Sequence, residues 1–211
     1  MNANRLIIFV KAPRCGIVKT RLARTIGALA AAEAYARLVE ETIANLRTLP
    51  QVELCYTPDD SRQEIEGWLA NDWQSQPQGP GDLGRRMAAA FERAFAEGMK
   101  RVAIIGSDCA TVTVEDIQTA WDELASADVV LGPASDGGYW LIGLREPRPK
   151  LFNDIPWSTP DVLTRTLDRV RQTLLSVHLL REQRDVDTER DWREFLSSRP
   201  ATGMDGVKPS R

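Results

Sequence analysis

Histidine is nearly absent from this sequence, whose 211 residues include only one, His178. That histidine lies in the apolar run at 174–180, where we interpret it as a packed or edge residue. General acid–base chemistry, which most often uses histidine, therefore has a single, poorly placed candidate. Carboxylates and basic side chains must supply the chemistry that the chain performs.

Cysteine is also scarce. The three cysteines, Cys15, Cys55 and Cys109, are widely spaced and form no Cys-x-x-Cys pair. This pattern excludes a zinc site of the usual ligand spacing and a disulfide framework. The first residues lead directly into a strand pattern without the apolar segment of a signal peptide. We therefore expect a cytoplasmic protein.

The sequence lacks both a strong charge and a long apolar run. Its net charge is −3 at pH 7, so there is no general basic field to attract nucleic acid. The apolar runs at 6–10, 102–105 and 129–131 are far shorter than the ~20 residues that span a bilayer. We expect neither a nucleic-acid partner nor a membrane partner.

Apolar strands alternate regularly with amphipathic helical segments. Strands are predicted at 5–10, 52–56, 73–76, 101–105, 129–131, 139–144 and 175–180. Helices are predicted between them, the longest over 22–49, and Asp82 and Thr113 are typical helix caps. This alternation predicts a doubly wound α/β fold with a mostly parallel sheet and helices on both faces. We expect a single domain over 1–198 and a disordered tail over 199–211.

A basic loop follows the first predicted strand. Its cations are Lys11, Arg14, Lys19, Arg21 and Arg24, and they approach the start of a helix. Cations oppose the helix dipole at that end, so a cluster of them favours an anionic ligand such as phosphate. The alternative is an exposed basic turn. The loop is not of the Walker A type, because the glycine that should precede the lysine is absent.

Asp108 follows the strong strand predicted at 101–105. Loops after parallel strands open at the same edge of a sheet, so Asp108 is expected to face the basic loop. A hard divalent cation, Mg²⁺ or Mn²⁺, binds one or two carboxylates together with phosphate oxygens, which makes Asp108 a candidate ligand. The alternative is an aspartate that only caps a helix or a turn.

Several motifs together resemble a bacterial family of nucleotide-diphosphosugar transferases, which is described as the glycosyltransferase associated with arsenosugar biosynthesis. The segment that opens the resemblance is Phe9-Val-Lys-Ala-Pro-Arg-Cys-Gly-Ile-Val-Lys-Thr-Arg-Leu-Ala23. It continues through Gly79-Pro-Gly-Asp-Leu-Gly-Arg-Arg-Met87, Ile105-Gly-Ser-Asp-Cys109, Leu131-Gly-Pro-Ala-Ser-Asp-Gly-Gly-Tyr139, Ile155-Pro-Trp-Ser-Thr159 and Asp185-Val-Asp-Thr188. The core Lys19-Thr-Arg-Leu22 is also similar to the first loop of phospholactate guanylyltransferases.

The resemblance implies a fold of the glycosyltransferase-A type and a donor whose phosphates contact Lys19 and Arg21. It also implies a second metal ligand, because the aspartate that precedes the last helix reaches the metal in related cytidylyl- and guanylyltransferases. Asp187 matches that position, and Asp185 is the fallback. Asp187 or Thr188 is also a plausible helix cap, so this alternative stays open.

A glycine-rich loop, Gln78 to Gly84, precedes the helix predicted to run to Ala96. Its G-x-G-x-x-G pattern is weak evidence for a dinucleotide site, since it follows a polar stretch and contains Pro80. We interpret it as a loop near the nucleotide base, with Gly79 and Gly81 close to the ligand. Gln78 would offer its side-chain amide to the base edge.

A second glycine-rich turn joins two late strands through Asp136, Gly137 and Gly138. An Asp-Gly turn is a common hairpin connection, but the extra glycine indicates close approach of a ligand. We predict that Asp136 binds sugar hydroxyls or orients the acceptor. Trp157 is either part of an acceptor wall or a core residue.

These expectations converge on a Mg²⁺-dependent transferase with a nucleotide donor and a small-molecule acceptor. Lys19, Arg21 and Asp108 are the predicted catalytic residues, and glycosyl transfer is favoured slightly over nucleotidyl transfer. A nucleotide-sensing module without catalysis is the alternative from another functional class.

Overall fold

The first strand, β1 (Asn4–Lys11), has apolar side chains on both faces, which is the pattern of a strand in the middle of a covered sheet. In the computed structural model, which describes residues 3–70 and 72–198, Leu6, Ile8 and Val10 pack into one hydrophobic cluster. Ile7 packs into another. Because neighbouring strand residues point to opposite faces, these two clusters are the two sides of one sheet.

The sheet has seven strands in the order β3-β2-β1-β4-β6-β5-β7. The other strands are β2 (Val52–Thr57), β3 (Gln74–Pro77), β4 (Arg101–Gly106), β5 (Val129–Pro133), β6 (Tyr139–Leu144) and β7 (Val177–Leu179). All pairings are parallel except those of β6, which runs antiparallel to β4 and β5. The expected doubly wound, mostly parallel sheet with β1 and β4 at its centre is confirmed.

Seven α-helices cover the sheet or join its strands among the described residues. They are α1 (Thr20–Ile26), α2 (Ala28–Leu46), α3 (Arg62–Ile65), α4 (Leu83–Ala96), α5 (Val114–Glu123), α6 (Val162–Gln172) and α7 (Glu189–Ser197). Apolar residues of α2 and α5 pack on one face of the sheet, and those of α4 and α6 pack on the other. Helices therefore lie on both faces, as the right-handed crossovers of parallel strands require.

The long helix predicted over 22–49 is in fact two helices, and this prediction was wrong. Gly27 lies between α1 and α2 with φ 88° and ψ 157°, which is far from helical geometry. The alanine-rich sequence on either side has a strong helix propensity, but the glycine permits a break that other residues resist. As a result α1 is a short separate helix at the end of the basic loop.

The caps predicted from sequence are present. The side chain of Asp82 accepts a hydrogen bond from the Arg85 amide at the start of α4. Thr113 and Asp116 form a capping box on α5. No helix within the described part of the chain is both long and apolar enough to cross a membrane. The tail expected at 199–211 lies outside the described residues.

Candidate active site

The central strands bring two loops to the same edge of the sheet. β1 and β4 pair in parallel, and Phe9 lies opposite Gly106 near the end of both strands. The basic loop leaves β1 at this edge, and Asp108 leaves β4 beside it. The expected convergence of the basic loop with Asp108 is therefore part of the structure.

Lys19 lies between two carboxylates at this edge. Its Nζ is 3.0 Å from Asp108 Oδ2 and 3.0 Å from Asp187 Oδ1. Only 3% of the Lys19 side chain is exposed, and its backbone has left-handed geometry (φ 46°, ψ 46°) immediately before α1. The basic loop thus buries Lys19 between two aspartates that are distant in sequence. The sequence had predicted that Lys19 would be free to bind phosphate.

The electrostatics of this cluster keep Lys19 charged. Burial alone lowers the pKa of its ammonium, but the charges of Asp108 and Asp187 raise that pKa above its ordinary value. Arg21 adds a second cation, with its Nη1 at 3.3 Å from Asp187 Oδ2. Two carboxylates and two cations therefore form one charge-balanced group.

Asp108 does not cap a helix. The next helix, α5, begins several residues later and has its own capping box at Thr113. Asp108 is half-exposed and lies beside a cleft. The cap interpretation of Asp108 is therefore excluded by the local structure.

Asp187 does not cap a helix either, because Thr188 is the N-cap of α7. Asp185, the fallback ligand, has a different partner: its carboxylate accepts a hydrogen bond from the Cys109 thiol. Burial raises the pKa of Asp185 to about 6. Asp187, and not Asp185, therefore shares the Lys19 ammonium with Asp108.

A cleft of about 380 Å³ opens over these groups. Its charged lining residues are Lys11, Lys19, Arg21, Asp108, Asp136 and Asp187. Ser158, Thr159 and Pro160 form its far wall. Residues predicted separately from four parts of the sequence thus share one cavity.

The carboxylates of this cleft suit a metal ion that brings other ligands with it. Within residues 3–70 and 72–198, no three His, Cys, Asp or Glu side chains are arranged to hold a metal by themselves. Asp108 and Asp187 nevertheless already share one cation, the Lys19 ammonium, at equal distances. Two carboxylates in this arrangement fit a hard cation that completes its coordination with phosphate oxygens and water.

A smaller cavity of about 220 Å³ adjoins the cleft and shares Lys11, Lys19 and Asp108 with it. Gln78 lines this cavity but does not have the role expected from sequence. Its amide nitrogen donates to the carbonyl oxygens of Val10 and Cys55, so both donors are used inside the fold. A buried amide must find such partners, and two strand ends supply them.

Arg14 and the glycine loop also differ from expectation. The Arg14 guanidinium binds the carboxylates of Asp60 and Glu64. The Gly79 amide donates to Asp59, and the Gly81 carbonyl accepts from the Arg86 guanidinium. These groups bind other parts of the protein, so their contact with a ligand stays a prediction.

The Asp136 turn is held against the far wall of the cleft. Asp136 Oδ1 accepts the Gly138 amide at 2.9 Å. A Cβ atom on Gly137 would lie 2.2 Å from the Pro160 carbonyl oxygen, and its φ is +91°. Glycine is required here by both the backbone conformation and the close approach of the neighbouring loop.

Trp157 is a packing residue at the edge of the core, which was the alternative to a place in an acceptor wall. A Cβ atom on Gly84 would lie 2.8 Å from the Trp157 indole, so the third glycine of the loop leaves room for this side chain. Trp157 is half-buried and packs against the cluster that contains α4 and Phe152.

Tyr35 and Ser107 were not predicted from sequence to lie near the site. The buried Tyr35 hydroxyl accepts a hydrogen bond from the Lys11 amide at 2.7 Å and lies 2.9 Å from Ser107 Oγ. It ties the end of β1 to the end of β4 beneath the cleft. A polar aromatic residue within the alanine- and leucine-rich face of α2 was the one signal that marked it.

The comparisons with known proteins give the family. A family model described as "Uncharacterized protein conserved in bacteria (DUF2064)" matches residues 42–159. The chain belongs to this family. A solved structure from Desulfovibrio desulfuricans G20, of a protein proposed to be a nucleotide-diphospho-sugar transferase, is 34% identical to this DUF2064 member. The alignment covers 96% of this chain and 90% of that one, with a TM-score of 0.87.

More distant structures share the fold. A cytidylyltransferase from Leptospira borgpetersenii has 11% identity and a TM-score of 0.60 over 93% of this chain and 86% of that one. The Rv0371c protein of Mycobacterium tuberculosis, in complex with manganese, has 15% identity and a TM-score of 0.50 over 92% and 98%. No curated protein matches the chain. The resemblance to nucleotide-diphosphosugar transferases and the fold class are thus confirmed.

Proposed function

We propose that this DUF2064 protein is a divalent-metal-dependent transferase with a nucleotide donor. The favoured reaction is glycosyl transfer from a nucleotide-diphosphate sugar to a small acceptor. The observation that carries the proposal is the convergence of Asp108 and Asp187 on one cation, in a cleft that also contains Lys11 and Arg21. The likeness to the Desulfovibrio protein supports the same class of donor.

The charged residues divide into two groups in this proposal. Asp108 and Asp187 would hold Mg²⁺ or Mn²⁺, which supplies charge neutralisation at the donor's diphosphate when it is bound. Lys11, Lys19 and Arg21, which line the same cleft, would contact the phosphate oxygens. Preorganised cations at this position stabilise the negative charge that develops on the leaving diphosphate.

The far side of the cleft would receive the sugar and the acceptor. Asp136 has one oxygen on the Gly138 amide, and the carboxylate is exposed to the cleft. A carboxylate there accepts hydrogen bonds from hydroxyl groups, which suits a sugar or a hydroxyl-bearing acceptor. The space at Gly137 is taken by the Pro160 carbonyl, so ligand contacts of Gly137 and Gly138 stay predictions from sequence.

Nucleotidyl transfer is the second candidate, and the Lys19-Thr-Arg-Leu22 loop favours it because of its similarity to guanylyltransferases. Both reactions break a bond at a metal-bound phosphate, so the same residues serve either one. The released product separates them. Glycosyl transfer releases a nucleoside diphosphate, whereas nucleotidyl transfer from a triphosphate releases pyrophosphate.

The first experiment is a thermal-shift screen of nucleoside triphosphates and nucleotide sugars with and without Mg²⁺, followed by product analysis for each stabilising donor. The variant Asp108→Asn then tests the site, since asparagine keeps the shape but removes the charge that a hard cation needs. We expect turnover to be lost while circular dichroism shows that the fold is retained, although loss of a counter-ion for the buried Lys19 lowers the melting temperature.

Asp82→Asn is the matched control, because Asp82 caps α4 and asparagine is an equally good cap. It should leave both turnover and stability unchanged. If no donor is turned over but the wild type and Asp108→Asn bind a nucleotide equally, the protein is a nucleotide-sensing module and the transferase proposal is wrong.

A further inference from the structure

We propose that Lys19 is an internal placeholder cation that occupies the Asp108–Asp187 pair, so that a divalent metal alone binds weakly and enters together with the donor's phosphates. The inference rests on the proposed function, since it assigns an order of binding to the same cleft. It concerns the ligand-free enzyme and is tested without turnover.

The first support is the way in which the three side chains are exposed. The Lys19 side chain is 3% exposed, whereas those of Asp108 and Asp187 are 44% and 31% exposed. The ammonium therefore lies behind the carboxylates, which face the cleft. A metal that arrives from solvent meets two carboxylates that already have a cation on their inner side.

The second support is the charge balance of the cluster. Asp108 and Asp187 carry two negative charges, and Lys19 and Arg21 carry two positive charges within 3.3 Å of them. A divalent cation gains little from a neutralised pair, because the resident cations repel it. Donor phosphates change this balance, since they offer Lys19 and Arg21 new partners and add anionic oxygens for the metal.

The third support is the position of Lys19 at the boundary of two cavities. Lys19 lines both the 380 Å³ cleft and the 220 Å³ cavity beside it. Its side chain is long and its backbone is held at the start of α1, next to the buried Val18. Because both cavities reach Lys19, the proposal has its ammonium turn from the carboxylates toward a phosphate by rotation of its own side chain.

These features make metal and phosphate binding mutually dependent. If phosphate removes Lys19 from the carboxylates and so strengthens metal binding, the metal must strengthen phosphate binding by the same factor. Lys19 thus prevents the empty site from collecting a metal that has no donor.

The test measures Mn²⁺ binding from the electron paramagnetic resonance signal of the free ion, with Mn²⁺ alone and then with inorganic pyrophosphate. Lys19→Met removes the charge and keeps the length of the side chain. We expect it to tighten the binding of Mn²⁺ alone by about tenfold or more, since a charge-assisted contact no longer competes. A role limited to phosphate binding predicts no such gain.

Arg24→Met is the matched control, because it removes the same charge from an exposed position on α1, the helix that Lys19 immediately precedes. It should leave Mn²⁺ affinity close to that of the wild type. The double variant Lys19→Met/Asp108→Asn should lose the gained affinity, which assigns the gain to the carboxylate pair. Lys19→Gln, with circular dichroism on every variant, serves if Lys19→Met does not fold.

Pyrophosphate gives the second measurement. It should tighten Mn²⁺ binding in the wild type by a larger factor than in Lys19→Met, where the placeholder is already gone. Unchanged or weaker binding of Mn²⁺ alone by Lys19→Met and Lys19→Gln overturns the inference, even if donors with Mg²⁺ still stabilise the wild type and are turned over. If instead no protein binds Mn²⁺ with or without pyrophosphate, the metal-dependent function itself is wrong and the inference falls with it.

Discussion

Thr188 and Asp191 cap α7 reciprocally: the Thr188 hydroxyl accepts the Asp191 amide at 3.3 Å, and the Asp191 carboxylate accepts the Thr188 amide at 2.9 Å. The same carboxylate also accepts the amide of Asp187 at 3.3 Å. The cap therefore fixes the backbone of Asp187 while leaving its side chain for Lys19. This arrangement links the stability of α7 to the geometry of the cleft.

We expect Thr188→Ala to lower both stability and metal affinity. Loss of the capping oxygen should cost about 1 kcal/mol in the free energy of unfolding. The Asp187 backbone should also become less well held, so the Mg²⁺ concentration for half-maximal turnover should rise. Chemical denaturation and a Mg²⁺ titration measure the two effects.

Thr113→Ala is the control for this prediction, since Thr113 and Asp116 form the same capping box on α5. It should cost a similar free energy without changing the Mg²⁺ dependence of turnover. An equal change of Mg²⁺ dependence in both variants would show that the effect follows general stability and not Asp187.

Lys11→Ala should weaken the binding of a nucleoside diphosphate by about tenfold and leave the binding of the nucleoside unchanged, because a charge-assisted contact to phosphate contributes ~1.5–3 kcal/mol. Lys11 lines both cavities, and its backbone amide is held by the Tyr35 hydroxyl, so the loop should keep its shape. Isothermal titration calorimetry measures both affinities. Lys100→Ala, which removes an exposed lysine before β4 at the other edge of the sheet, should have no effect. Equal losses in the two variants would mean that net charge alone matters.

Gly137→Ala should destabilise the protein more than Gly98→Ala. Both glycines have positive φ, +91° and +89°, so alanine is strained at either position by about 1–2 kcal/mol. Only Gly137 also lacks space, because its Cβ would lie 2.2 Å from the Pro160 carbonyl oxygen, whereas nothing lies within 4 Å at Gly98. The additional overpacking should cost about 1–3 kcal/mol in urea unfolding. Similar losses for the two variants would contradict the close contact.

The hydrogen bonds of Asp128, which does not line the cleft, should make the stability of the protein depend on pH. Its carboxylate accepts hydrogen bonds from the Ser176 hydroxyl and amide and from the Arg145 guanidinium, which together lower its pKa to about 2. A carboxylate with a lowered pKa in the folded state contributes stability above its unfolded pKa of 3.8 and loses it as the pH falls toward 2.

Asp128→Asn should therefore reduce the free energy of unfolding by about 1 kcal/mol at neutral pH, and the difference from the wild type should shrink between pH 4 and pH 2. Asp154→Asn is the control, since the Asp154 side chain is 85% exposed in its ion pair with Arg169. Such surface pairs contribute little. A difference between wild type and Asp128→Asn that stays constant down to pH 2 would contradict the assignment.

The strands, the central place of two of them and the edge at which the cleft opens could be predicted from sequence because they depend on local patterns. The apolar strands at 5–10 and 101–105 are continuous runs, and loops after parallel strands necessarily share one edge. Asp82 and Thr113 were recognisable as caps because the capping bond spans only three residues. The convergence of the basic loop with Asp108 followed from these local facts alone.

The pairing of side chains could not be predicted in the same way. Lys19 carries the same charge whether it faces solvent, phosphate or Asp187, and its choice depends on a residue from the far end of the described chain. Arg14 was expected to bind the phosphates of the nucleotide donor, but its guanidinium forms ion pairs with Asp60 and Glu64. Gln78 was expected to donate its side-chain amide to the nucleotide base, but that amide donates to backbone carbonyls of β1 and β2.

The glycines illustrate a further limit. Gly27 ends a helix within an alanine-rich segment, although helix propensity favours continuation on both sides. Gly84 completes a glycine pattern that predicted a loop near the nucleotide base, yet its lack of a side chain makes room for Trp157. A glycine in sequence therefore marks a close approach without saying which group comes close.

The contact between Lys19 and Asp187 spans 168 residues, and that between Lys19 and Asp108 spans 89. During synthesis Lys19 is made long before Asp108 and Asp187, which follow it by 89 and 168 residues. A nascent chain that has completed β4 has one counter-ion for the buried ammonium, and the second arrives only after β7. The cleft is thus among the last parts of the protein to acquire its final electrostatics, and a chain that stops before Asp187 would lack one of the two carboxylates that contact Lys19.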